Sequence, residues 1–204
     1  MSVITISASF GAGGSWVAPR VAERLGSRFI DRAIPVGVAE QLAVPLEHAL
    51  AHDESAAAPG LARLAAALAA PSGVRMPEPT DDAFCREAER VIIEAAGAAA
   101  GTVVVLGRAG ALVLRDRSDA LHVRLDGPAE ARVRQAMRIE NVSERDARRR
   151  LRDSDRARTA YVKHFYSADP RDPDHYHLML NSTKLPFETC VEVILQAARA
   201  LPQP

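Results

Sequence analysis

The chain has 204 residues, 48% apolar, 25% charged and only 4% aromatic, which fits one largely aliphatic core and is too short for two ordinary domains. Its 26 Lys and Arg balance 26 Asp and Glu, so no bulk field draws it to nucleic acid or to an anionic membrane, and any anion site must be local. Cys85 and Cys190 lack metal-type spacing and no uncharged apolar stretch approaches the roughly 18 residues that span a bilayer, so the expectation is a cytoplasmic protein with two reduced thiols, no zinc and no membrane partner.

In chain order, residues 3–7 (VITIS) read as a strand that runs straight into a glycine-rich stretch, residues 8–15 (ASFGAGGS). A helix over 16–25 stops at Gly26, a residue suited to a C-terminal cap. Pro19 lacks the N–H that would bond the Ser15 carbonyl, which predicts that this helix starts late or bends. RFID, residues 28–31, is a weaker strand. The Ala-rich segment 49–73 holds one short helix in low-complexity sequence, and 76–82 (MPEPTDD) is a linker by composition.

Beyond the linker, strands are expected at 102–106, 121–126 and 177–181, and helices at 128–139 and 186–200. Pro128 suits a first helical turn. Ser143-Glu144-Arg145-Asp146 has the form of a capping box and predicts a helix from Ser143 to about Tyr166. This alternation predicts a parallel α/β sheet whose strands end in Gly, Asp, Arg or Asn, where such sheets place their chemistry.

Strand, glycine turn and helix make the context of a phosphate cradle. The amides of Gly11, Ala12, Gly13, Gly14 and Ser15 would point inward at a helix N-terminus. Against G-x-x-x-x-G-K-[ST], Gly13 falls on the last glycine and Ser15 on the hydroxyl that meets Mg²⁺, but Ala8 replaces the first glycine and Gly14 the lysine. A tight turn with no ligand is the alternative. Further along, Arg149, Asp153 and Arg156 lie at i, i+4 and i+7 on one helix face, a geometry suited to clamping phosphate. Arg152 and Asp155 repeat the pattern on the adjacent face, so spacing does not choose between them. His175 and His177 read as solvated loop residues, Trp16, Tyr161 and Phe165 as packing residues, and Asn181, Ser182 and Thr183 as a strand end near where a nucleotide base could lie, with backbone capping as the alternative.

Taken in order, VITISASFGAGG, RFIDR, VVVLGRAGALVL, ALHVRLDGPAEARVR, RDSDRAR and HLMLNSTKL resemble the cytidylate kinase-like branch of the P-loop nucleoside monophosphate kinases. The resemblance implies a three-layer α/β P-loop kinase fold as a single domain, 1–204. It would have a five-stranded parallel sheet, an acceptor-binding insertion at 33–90 and a helical lid at 141–175. It implies transfer of the γ-phosphoryl of ATP, with Mg²⁺, to a nucleoside monophosphate such as CMP or dCMP. It assigns Arg149, Asp153 and Arg156 to the phosphate clamp, Asp31, Arg86 and Arg108 to the acceptor, and Ser15 to the metal. Gly14 is shared with the branch, whereas Ala8 and Ser15 stand where its members usually carry arginine, and Ala109 replaces the Asp that follows Gly-Arg. These departures leave two other readings, a non-catalytic nucleotide- or anion-binding protein and a P-loop kinase with a non-nucleotide acceptor.

Overall fold

The computed structural model describes residues 2–31, 81–97 and 101–201. The expected helix within 49–73, the linker up to residue 80 and residues 33–80 of the expected insertion lie outside the described residues.

Five parallel strands form one sheet: β1 (Val3–Ala8), β2 (Arg28–Asp31), β3 (Val103–Leu106), β4 (Ala120–Asp126) and β5 (Leu178–Asn181), in the order β2-β3-β1-β4-β5. The glycine-loop strand is therefore central, with β3 on one side and β4 on the other. The chain runs from β1 to β2 on one side and later crosses from β3 to β4 on the other, which opens a crevice at the carboxyl ends of the central strands.

Residues alternate across the sheet as strand geometry requires. Ile4, Ile6, Val104, Val123 and Leu125 pack against α1 (Gly14–Arg24) and the C-terminal helix, which carries Val191, Ile194 and Leu195. Val3, Val103, Val105 and Ile30 face the other way and meet Ile92, Ala95 and Ala96 of α2 (Asp81–Gly97). A short helix, α3 (Gly110–Val113), also lies against β1. Burial on both faces explains why the strands read as continuous apolar runs. The remaining α-helices among the described residues are α4 (Ala129–Glu140), α5 (Glu144–Tyr166) and the C-terminal α6 (Phe187–Ala200). No helix among the described residues is long and apolar enough to cross a membrane.

The Ser143 cap forms where the sequence predicts it: the Asp146 N–H donates to Ser143 Oγ at 3.1 Å, and that hydroxyl, rather than the Ser143 backbone N–H, donates to Asp146 Oδ2 at 2.7 Å. Helix α1 corrects an expectation. It begins early, at Gly14, and continues through Pro19 to Arg24. Its start is set by Gly13, whose carbonyl accepts from both Trp16 and Val17. Cys85 and Cys190 are both buried, unlinked thiols.

Of the two histidines expected to be solvated, His177 is exposed and His175 is partly buried, its Nε2 without a partner among the described residues. His122 is buried in β4, its Nδ1 2.8 Å from Thr5 Oγ1, with its Nε2 unpartnered. Its ring stacks on His177 at 4.9 Å, and its backbone N–H donates to His177 Nδ1 at 3.1 Å. Burial, and then the neighbouring His177, lower the His122 pKa to about 4. Because the unfolded chain binds this proton near pH 6.5 and the folded one does not, the stabilisation is complete above that pH and is lost on descending towards 4. A loss on the order of 3 kcal/mol across this window is expected from the site. Thermal melts at stepped pH should show it, with a shallower dependence for His122→Gln.

Candidate phosphate-binding site

Loop 9–13 is held by its carbonyl groups. The Phe10 carbonyl accepts from Arg132 Nη1 at 2.9 Å, that of Gly11 from Gln135 Nε2 at 2.9 Å and that of Ala12 from Ser182 Oγ at 2.7 Å. With consecutive carbonyls drawn outward, the peptide planes turn their amides the other way. The N–H groups of Gly11, Gly13, Gly14 and Ser15 have no acceptor among the described residues. Gly11 and Gly13 adopt φ of 73° and 77°, which only glycine reaches cheaply. A Cβ would run into the Arg132 carbonyl at Gly11 and into the Phe187 ring at Gly13.

At the N-terminus of α1 there is no side-chain cap and no acidic residue in the first turn, unlike α5, which has both. The helix thus presents an uncompensated positive end to an incoming anion. Gly14, at the lysine position, has a packing cause. A Cβ there would stand 2.5 Å from the Ala8 Cβ, so the methyl at 8 occupies the space from which a side chain at 14 would emerge.

Beneath the loop runs an alternating row of charges. Arg124 Nη2 pairs with Asp126 Oδ2 at 2.8 Å, and Arg132 Nε lies 3.4 Å from Asp126 Oδ1. Arg132 Nη1 pairs with Asp155 Oδ2 at 2.8 Å, and Arg158 Nη1 lies 4.0 Å from Asp155 Oδ1. Burial pushes the Asp126 carboxyl upward, but the Arg124 charge and the Gly127 N–H outweigh it and hold the group below the usual carboxylate range. Asp155 also accepts from the Phe10 N–H at 3.1 Å, fastening α5 to the loop. The Phe10 ring seals the junction among Val133, Ala136, Ala147 and Leu151.

These elements enclose a cleft of about 640 Å³ at the carboxyl ends of β1, β2, β3 and β4. Loop residues Gly11, Gly13, Gly14 and Ser15 line it together with Asp31 and Arg108, while Ala12 is buried behind them. Asp31 and Arg108 arrive on adjacent strands, with Asp31 in register with Leu106. Arg108 is aimed by an unusual turn in which Gly107, Arg108 and Ala109 all have left-handed φ, at 76°, 53° and 51°.

The expected clamp is only partly assembled. Arg156 lines the cleft, joined there by Asp155 and Arg158. Arg149 is half-exposed and pairs with Asp146 at 2.9 Å, and neither it nor Asp153 is among the cleft-lining residues. Neither set enters whole, since Arg156 comes from the first and Asp155 from the second while Arg152 does not line the cleft, and the contact of Asp155 with the Phe10 amide holds α5 to the loop. Arg86 is exposed on α2 and does not line the cleft. Sequence reasoning missed Arg124, Arg132 and Gln135, and it singled out Ser182 without its contact with the loop. The available signal was a pair of polar residues, Arg132 and Gln135, three apart on a helix face that is otherwise apolar. Among the described residues no three His, Cys, Asp or Glu side chains group as a metal site.

Strand order, crevice and glycine loop together define the fold of a P-loop kinase. The chain belongs to the cytidylate kinase-like family, whose pattern matches residues 3–184. A crystal structure of an uncharacterised protein from Eubacterium ventriosum superposes with a TM-score of 0.68 at 18% identity, covering 98% of this chain and 99% of that one. A gluconokinase from Sinorhizobium meliloti gives a TM-score of 0.50 at 15% identity, covering 98% and 93%. At such identities the likeness is one of fold. A uronate isomerase from Corynebacterium glutamicum is 31% identical over 100 residues, which is 48% of this chain but only 19% of that protein's length.

Two stability outcomes follow. Gly14→Ala should cost about 1–3 kcal/mol by overpacking, and Ala8→Gly in the same chain should recover most of it, as read by urea denaturation. Ser182→Ala strands the Ala12 carbonyl and should cost about 1–3 kcal/mol in the same assay.

Proposed function

We propose that the protein transfers the γ-phosphoryl group of ATP, with Mg²⁺, to a nucleoside monophosphate of the CMP or dCMP type. The observation that carries this reading is the loop whose carbonyls are tied back and whose amides are left unpaired beneath an arginine-lined cleft. The amides of Gly11, Gly13, Gly14 and Ser15 would receive the donor phosphates, with the Ser15 hydroxyl beside the metal. Magnesium, when bound, supplies neutralisation of charge on the phosphate oxygens. Asp31 and Arg108 would orient the acceptor at the ends of β2 and β3.

Arg156 and Arg158 project from α5 into the same cleft, placed to stabilise charge spread over the transferring group. Asp155, fixed by Arg132 and the Phe10 amide, orients this helix and needs to accept no proton, since positioning and electrostatics suffice for phosphoryl transfer. Arg149 and Asp153 would enter only if a lid spanning 141–175 closed further, and Arg86 only if the insertion carried it inward.

The absence of any Lys or Arg from residues 8–15 favours a second reading, a nucleotide-binding protein without turnover. Coupled detection of ADP release with CMP, dCMP and UMP decides between them: turnover above the ATP-only rate supports the kinase, and tight MgATP binding without it supports the binder. Turnover only with sugars or other non-nucleotide alcohols would keep the reaction and replace the acceptor. For the kinase, Arg156→Ala and Arg158→Ala should each lower kcat by about 10²-fold or more with melting temperatures near wild type.

A further inference from the structure

The loop carries no cation of its own between positions 8 and 15, and the Ala8 methyl blocks the usual route for one at 14. Backbone amides and a helix end offer only partial charges to a polyphosphate. We propose that Arg124, on the strand beside the loop, supplies the missing full charge and is a phosphate-binding residue of this site. The proposal rests on the nucleotide-binding reading above and adds to it the residue that grips the polyphosphate.

The strand register pairs Ser7 with Arg124 and Ala8 with Leu125, so Arg124 departs from β4 at the level where β1 turns into the loop. Its Nη2 donates to Ser9 Oγ at 2.9 Å. Nε and Nη2 both donate to Asp126 Oδ2, at 3.2 and 2.8 Å, and the guanidinium carbon lies 5.7 Å from the Tyr176 ring centre. One edge of the fork is thus anchored and its plane is fixed. Its Nη1 makes no hydrogen bond among the described residues, yet Arg124 lines the cleft although its side chain is only 7% exposed. A guanidinium held in one orientation with an open donor edge is preorganised for a phosphate oxygen.

The surrounding charges decide against a purely structural ion pair. Asp126 already has the Gly127 N–H at 2.8 Å and Arg132 Nε at 3.4 Å. With Asp126 engaged from two other sides, the open Nη1 edge of Arg124 is what an anionic ligand would meet.

Calorimetric titration with MgATP and with magnesium tripolyphosphate tests this, the second ligand showing whether the polyphosphate alone is recognised. Wild type is compared with Arg124→Gln, Arg124→Lys and the neutral pair Arg124→Met/Asp126→Asn, which removes both buried charges so that neither is left unpaired. Arg124→Gln and the neutral pair should weaken both ligands by about 10- to 100-fold, Arg124→Lys by less, and the residual binding should be less sensitive to salt. Wild type that binds neither ligand removes the nucleotide reading and this proposal together. Wild type that binds while Arg124→Gln or the neutral pair stays within about twofold overturns Arg124 alone, as does weakened binding with unchanged salt sensitivity, which marks a packing role.

Discussion

A peptide unit can aim its N–H at a ligand only if its C=O finds a partner on the opposite side, and the site is built around that constraint. Phe10, Gly11 and Ala12 turn their carbonyls away from the cleft because Arg132, Gln135 and Ser182 receive them. Unmet, those carbonyls would each lose a buried hydrogen bond and would be free to rotate back into the cleft, where they would repel phosphate oxygens. Much of the remaining structure supplies these donors. Helix α4 presents Arg132 and Gln135 three residues apart, and the turn after β5 brings Ser182 against a loop that is 170 residues away in sequence.

The same residues join the loop to the helix that would cover it. Arg132 holds the Phe10 carbonyl with the nitrogen that also meets Asp155, and Asp155 holds the Phe10 amide. The two peptide groups flanking Phe10 are therefore fixed from α4 and α5, and its ring is buried between them. A displacement of α5 would therefore pull on the loop through direct contact rather than through any longer path.

Much of the fold was legible because the strands are apolar and the helix ends carry local chemistry. The Ser143 cap, Gly26 and the glycines of 11–14 act within a few residues of themselves, and all three appear where the sequence indicates. The late start that Pro19 suggested does not occur, because the start of α1 is fixed upstream by the left-handed Gly13 and its carbonyl. Which arginines face the cleft was not legible. Arg149/Asp153/Arg156 and Arg152/Asp155 have equivalent helical spacing, and the contact that holds α5 to the loop, from Asp155 to the Phe10 amide, spans 145 residues of sequence. Arg124 was hidden because, read locally, it interrupts an apolar strand, and its meaning comes from the neighbouring strand and from Ser9.

The close fit of Ala8 to Gly14 also limits how this lineage can change. The space at the strand-to-helix junction is taken by one methyl group, so a lysine at position 14 cannot be introduced alone without crowding its neighbour. Two replacements must coincide, or the glycine at position 8 must come first and be tolerated with nothing gained. Such a lock leaves mutation free to explore the other walls of the crevice for positive charge, and the arginine-rich composition of the chain supplies the raw material for that search.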